Sequence, residues 1–182
     1  MKMEPTTLPG VVVVSAPVYE DDRGFFTEVF HEGCFGSLGL PTSFAQDSHS
    51  RSRQGVLRGI HYQAEQPQGK LVRPVQGSIF DVAVDLRRSS PHFGKWTGVT
   101  LHAGDGRQLW IPPGFGHAFL VVSDSADVTY KCTTVYHAPS NYAIRWDDPT
   151  LAIKWPLERG DVPILSPKDA SAPAFAAAVV FE

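Results

Sequence analysis

Gly69-Lys70-Leu71-Val72-Arg73-Pro74-Val75-Gln76-Gly77-Ser78-Ile79-Phe80-Asp81-Val82-Ala83-Val84-Asp85 is two apolar, β-branched runs parted by a Gln76-Gly77 turn signal. It predicts strands at residues 70–76 and 78–85. The rhythm extends both ways. Upstream, residues 11–16, 25–30 and 56–63 read as strands and 44–47 as a short extended piece. Downstream, residues 96–101, 108–111, 117–122 and 127–135 do the same. Gln68-Gly69, Ala103-Gly104-Asp105-Gly106 and Pro112-Pro113-Gly114 supply further turns. Short strands at this spacing indicate an all-β sandwich or barrel.

The segments between are less regular. Residues 20–24 read as a turn and 48–54 as a polar, basic loop. Residues 31–40 carry three glycines and suit a short helix or an irregular loop. Residues 146–151 and 163–175 read as irregular or weakly helical, and 174–180 as an apolar tail.

Bulk properties bound the rest. A chain of 182 residues is long enough for one well-buried domain, 1–182, and short for two. A formal charge of −3 argues against a nonspecific grip on nucleic acid, so any anion site must be local. The two cysteines, Cys34 and Cys132, form no disulfide framework. No signal peptide and no bilayer-spanning run is recognisable, so the expectation is a cytoplasmic protein with free thiols and no membrane partner.

Chemistry concentrates in Leu57-Arg58-Gly59-Ile60-His61-Tyr62-Gln63, a cation and an imidazole inside an apolar run. His61 reads either as a core histidine bonded to a carbonyl or as a general base. A base of this kind is oriented by a carboxylate; Asp169, Asp81 and Asp85 are the candidates. An offset of three puts Arg58 and His61 on opposite faces of a regular strand, so sharing a pocket requires a bulge or twist. Lys70 and Arg73 read as site cations or as guards of an exposed strand edge. Arg23 follows an acidic turn and suits a weak surface ion pair. His117 stands where Pro112-Pro113-Gly114 hands the chain to a strand, in reach of a phosphate or in a structural bond. Tyr130 is a strand phenol, suited to packing or to acid catalysis. His61-Tyr62-Gln63 lacks a second histidine two residues on, and no Cys pair exists, so neither a catalytic metal nor another cofactor is expected.

The ordered set of motifs resembles the dTDP-4-dehydrorhamnose 3,5-epimerase family. Its carriers include Asp22-Arg23-Gly24-Phe25-Phe26-Thr27-Glu28, Phe44-Ala45-Gln46-Asp47, Leu57 to Gln63, Gly69 to Arg73, Gly77 to Asp85, Ile111 to Phe119, Tyr130-Lys131-Cys132-Thr133, Ile144-Arg145-Trp146-Asp147-Asp148-Pro149 and Leu165-Ser166-Pro167-Lys168-Asp169. The resemblance implies a metal-free, cupin-type jelly-roll barrel with short peripheral helices, forming homodimers. It implies a dTDP-linked 4-keto-6-deoxy sugar as substrate, inverted at C3 and C5 through an enolate. It also implies the roles. His61 would be the base, paired with Asp169; Lys70 would stabilise the enolate oxygen; Tyr130 would be the acid on the other face. Arg58 and His117 would hold the diphosphate. Gln46 and Glu28 would contact the nucleoside, with Tyr136 near the thymine. Phe25, Ser48 and Lys168 would also line the substrate site. Arg23 and its strand would reach the neighbouring subunit's site. Many members of the family carry Asn where this chain has Ser48, a shorter side chain without the amide, in a segment that would line the nucleotide pocket.

Two other functions fit parts of this pattern. An enzyme inverting C3 alone needs the same base and ketone. A non-catalytic ligand-binding cupin would need Arg58 and His117 but not His61, Lys70, Tyr130 and Asp169 together.

Overall fold

The computed structural model describes residues 1–158 and 160–182. In chain order the first strands are β1 (Lys2–Pro5), β2 (Val12–Ser15), β3 (Val18–Asp21) and β4 (Gly24–Thr27). Helix α1 (Glu32–Ser37) precedes β5 (Gln46–Arg53), β6 (Leu57–Gln63), β7 (Lys70–Gln76) and β8 (Ser78–Asp85). Then come β9 (Trp96–His102), β10 (Arg107–Ile111), β11 (Phe115–Val121), β12 (Ser125–Cys132), β13 (Asn141–Ala143) and the one-turn helix α2 (Pro167–Ala170). Six strands form one sheet in the order β1-β2-β10-β7-β12-β5, and five form a second, β13-β6-β11-β8-β9. The hairpin β3–β4 stands apart from both. The fold is an all-β jelly-roll barrel of the cupin type, as expected.

The strands on either side of the Gln76-Gly77 turn, β7 and β8, belong to different sheets. That turn is therefore a barrel corner. Gly77 has φ +71, and a Cβ there would lie 1.9 Å from the Ser125 carbonyl oxygen, so only glycine fits.

Alternation along the strands sorts the core. Val13, Val72, Ile79, Leu109, Phe119, Val121 and Val128 point between the sheets into one apolar cluster. Ile60, Tyr62, Val82, Val84 and Ala118, of opposite parity in the five-stranded sheet, form a second cluster on its outer face. Bare, that face would expose a row of large apolar side chains. The C-terminal tail covers it, with Phe175 and Phe181 packed into the cluster. Both faces of β11 are thus covered, and every residue of it is buried. A third cluster under α1 joins Phe35 and Leu40 to Val14, Leu71 and Trp110 on the outer face of the six-stranded sheet.

The sequence reading is corrected at several elements. Residues 48–54 are not a loop but most of β5, which pairs with β12 over eight residues. The turn expected at 20–24 is tighter: β3 runs to Asp21, which pairs with Gly24. The strand expected at 25–30 ends at Thr27. Residues 31–40 resolve into α1, capped by the imidazole of His31 accepting from the Cys34 N–H. Cys34 and Cys132 are not bridged. Among the described residues no helix is long and apolar enough to cross a membrane.

Candidate active site

The site lies at one end of the barrel, where the inward row changes from apolar to polar. In the six-stranded sheet, register places Ser48 beside Tyr130 and Tyr130 beside Val72. One row along, Gln46 stands beside Cys132 and Cys132 beside Lys70. Residues level across a sheet share a face, so Gln46, Ser48, Lys70 and Tyr130 all look inward. On the opposing sheet, Ala143, His61, His117 and Ala83 form one row. His61, Lys70, Tyr130, Gln46, Ser48, Gln63, Tyr136 and Asn141 line one cavity between these rows.

Arg58 and His61 reach the same side because β6 bulges. His61 faces His117 and Arg58 faces Phe119, three residues of β6 against two of β11. Gly59 sits between them at φ +112, and a Cβ there would fall 2.4 Å from the His117 carbonyl oxygen. The guanidinium of Arg58 donates from Nε to Ser52 Oγ at 3.0 Å and is otherwise exposed at the rim.

Among the three candidate carboxylates, Asp169 meets His61, with Oδ1 2.5 Å from Nε2. The imidazole keeps 32 % of its side chain exposed while the carboxylate is buried. Burial pushes the Asp169 carboxyl up, but the hydrogen bond and charge of His61, with Ser166 adding to them, outweigh it and hold it below the usual range. Asp85 is occupied by Arg87 at 2.6 Å and Ser90 at 2.7 Å. Asp81 is occupied by His117, Nε2 to Oδ1 at 2.6 Å.

That last pair gives His117 the structural bond that was one of its two readings. The imidazole is only 7 % exposed and its Nε2 is committed to Asp81. Burial holds its pKa down, against the pull of Asp81, with Lys70 and His61 adding to the lowering. His117 stands next to His61 in the inward row, buried and bonded to Asp81.

Lys70 forms no ion pair among the described residues, and burial lowers its pKa, with Cys132 and Asp81 acting the other way. Tyr130 is pushed up, by burial first and by Cys132. Arg58 and the Ser48 hydroxyl pull it the other way. Ser48 Oγ also accepts from Gln46 Nε2 at 2.9 Å. Gln46 Oε1 in turn accepts from the Tyr136 N–H at 2.7 Å, so a polar chain ties the exposed Tyr136 to the cavity wall. Lys168, one residue before Asp169, donates to the Asn141 carbonyl at 3.1 Å.

Three residues expected at the site are not brought to this cavity. Arg23, Phe25 and Glu28 lie on or just after the β3–β4 hairpin and are exposed. Arg23 pairs with Asp21 in its own turn. Gln63 and Asn141 are among the lining residues that were missed. Gln63 lies two residues beyond His61 on the same inward face, a spacing that could have revealed it; its amide holds the carbonyls of Gln66 and Val135. Asn141 donates to Tyr136 Oη at 2.9 Å from a three-residue strand that leaves no sequence pattern. Among the described residues no three His, Cys, Asp or Glu side chains converge as a metal-ligand set.

Comparison with known proteins joins these observations. The profile described as dTDP-4-dehydrorhamnose 3,5-epimerase matches residues 5–177. The chain belongs to the dTDP-4-dehydrorhamnose 3,5-epimerase family. Over 182 residues it is 50 % identical to the dTDP-4-dehydrorhamnose 3,5-epimerase of Pseudomonas aeruginosa, covering 100 % of this chain and 99 % of that one. Among solved structures it is similar to the dTDP-6-deoxy-D-glucose-3,5-epimerase of Legionella pneumophila, which holds dTDP-4-keto-L-rhamnose. The TM-score is 0.92 and the identity 47 %, over 97 % of this chain and 93 % of that one. A 3'-monoepimerase from Streptomyces bikiniensis in complex with dTDP-quinovose shares the fold at TM-score 0.88. It is less similar in sequence, 34 % identical over 96 % of this chain and 88 % of that one.

Proposed function

We propose that this protein inverts C3 and C5 of dTDP-4-dehydro-6-deoxy-D-glucose, giving dTDP-4-dehydro-L-rhamnose. The observation that carries the reading is a cavity lined by His61, Lys70 and Tyr130, with the buried Asp169 bonded to His61 from behind. The names of the similar enzymes support the same substrate.

The chemistry follows from the four groups. The carboxylate of Asp169 fixes a proton on His61 Nε2 and leaves Nδ1 free to accept another. Nδ1 takes a proton from C3 or C5, the carbons beside the C4 ketone. The C–H electron pair moves into the ring, and the C4 oxygen takes the negative charge. The ammonium of Lys70, in a site drier than bulk water, stabilises that oxyanion. The carbonyl re-forms as Tyr130 delivers a proton to the opposite face. A raised pKa suits that role, because the phenol keeps its proton at neutral pH. Arg58 at the rim serves the diphosphate.

The exposed hairpin bearing Arg23 and Phe25, with Glu28 just beyond it, serves a second copy of the chain, so that a homodimer completes each nucleotide pocket. Phe25 and Phe26 are 58 % and 67 % exposed, so the hairpin leaves large aromatic surface open to water that a second copy would cover.

Solvent deuterium wash-in, followed by NMR of the keto sugar nucleotide, tests the reading. Exchange at both C3 and C5 is expected. Exchange at C3 alone marks a C3 epimerase, and no exchange marks a binding protein.

A further inference from the structure

Asp169 sits on a segment that cannot hold itself in place. Helix α2 is four residues long, and the only residue it buries is Asp169 itself. One turn of helix is not stable alone, and a carboxylate gives no hydrophobic anchor. The segment is therefore held by its flanks. Upstream, Ile164 N–H donates to the Gly55 carbonyl at 2.8 Å and the Ile164 carbonyl accepts from Leu57 N–H at 3.0 Å, main-chain bonds beside the start of β6. Downstream, Arg145 N–H donates to the Pro173 carbonyl at 2.9 Å, and Phe175 N–H donates to Asp148 Oδ2 at 2.8 Å.

Asp148 is the one side chain in this set. It is 2 % exposed. Its Oδ1 accepts from the N–H groups of Thr150 and Leu151, at 2.9 and 3.1 Å, closing its own turn. Its Oδ2 reaches a chain segment 27 residues away. Closing a local turn needs only the first oxygen; the second fastens the polypeptide shortly beyond Asp169. From that point the tail packs over the outer sheet face.

We propose that Asp148 is a positioning residue for the His61–Asp169 pair, acting through the Phe175 amide. This inference rests on the reading of His61 as the base. Without the clamp, the downstream flank keeps only the main-chain bond from Arg145 N–H to the Pro173 carbonyl, and Asp169 swings relative to the imidazole while the folded core persists.

The test is Asp148→Ala in the full-length protein, which removes every acceptor at once. Two readouts are taken. The first is the imidazole N–H proton that His61 shares with Asp169, followed by its solvent exchange in NMR. The equivalent proton between His117 and Asp81, which the tail does not touch, is the internal control. The His61 proton should exchange faster and broaden while the His117 proton is unchanged. The second is turnover of the keto sugar nucleotide: kcat should fall roughly tenfold or more with KM within about twofold, the cost of a misplaced reacting group. A lowered melting temperature with both protons as in the parent protein, or loss of both together, overturns the proposal. Loss of the His61 proton alone with kcat unchanged supports the clamp and sinks His61 as the base. Hydrogen exchange of the parent protein gives an independent answer should the variant fail to fold. The amides of Ala170, Ser171 and Phe175 should open as one unit with a common dependence on denaturant. Opening of Ala170 and Ser171 while Phe175 stays protected refutes the coupling.

Discussion

Asp169→Asn replaces one oxygen by an amide nitrogen, at nearly constant volume, and removes the charge that faces His61. In the parent protein the two groups are 2.5 Å apart, N to O. When His61 takes a proton, the imidazolium stands beside a carboxylate. Charge centres about 4 Å apart interact by about 4 kcal/mol at the effective dielectric of a protein surface site. The imidazole is 32 % exposed, so solvent screens part of this, leaving roughly 2–4 kcal/mol. At about 1.4 kcal/mol per factor of ten, kcat should fall roughly 30- to 1,000-fold. KM should change little, because Asp169 touches the base and not the substrate. The assay is product formation followed by NMR across pH, with a circular-dichroism melt to establish that the variant is folded. A folded variant with near-parental kcat refutes the dyad argument.

Tyr130→Phe should keep the fold, losing one neutral hydrogen bond worth about 1 kcal/mol; it should still wash deuterium into the sugar while inverting it much more slowly. Equal loss of exchange and inversion would show that Tyr130 positions the substrate instead. Gly59→Ala puts a Cβ 2.4 Å from the His117 carbonyl oxygen at φ +112, so unfolding in urea should show a loss of about 2 kcal/mol or more; an unchanged midpoint would refute the fixed bulge. Asp85 is raised by burial but held lower overall by Arg87 and Ser90, so its folded pKa lies below its unfolded one. Its contribution to stability is therefore present above the ordinary carboxylate value, about 3.9, and is lost as pH falls through the depressed one. Asp85→Asn should lower the melting temperature at neutral pH, with the difference shrinking under strong acid; a constant difference would contradict the linkage.

The strands from β6 to β12 were legible because each is a largely apolar, β-prone run, most of them set off by turn signals such as Gln76-Gly77, Ala103-Gly104-Asp105-Gly106 and Pro112-Pro113-Gly114. Strand β5 was not, because Gln46, Ser48 and Ser50 face the cavity while Asp47, His49 and Arg51 face outward, so it carries no hydrophobic alternation at all. Edge strands β1, β3 and β13 are three or four residues long, too short for any period to show. The tail read as merely apolar; what it covers is a sheet face assembled from residues scattered over the chain.

At the site, residue chemistry alone named His61, Lys70 and Tyr130, since a histidine, a lysine and a phenol inside apolar strands each need an explanation. It also set the condition that Arg58 and His61 share a pocket only if the strand bulges, and Gly59 makes that bulge possible. The partner of His61 was beyond its reach. Three aspartates were candidates, and the one that meets it lies 108 residues away. Asp81 and Asp85 are nearer in sequence but are claimed by His117 and Arg87. The fate of His117 was likewise hidden, because a sequence does not say which carboxylate lies diagonally across a sheet. A strand's own residues determine its period and its faces. Which faces meet, and which charge ends beside which, is decided by sheet order and by the chain crossing over them, and only the tertiary structure holds that.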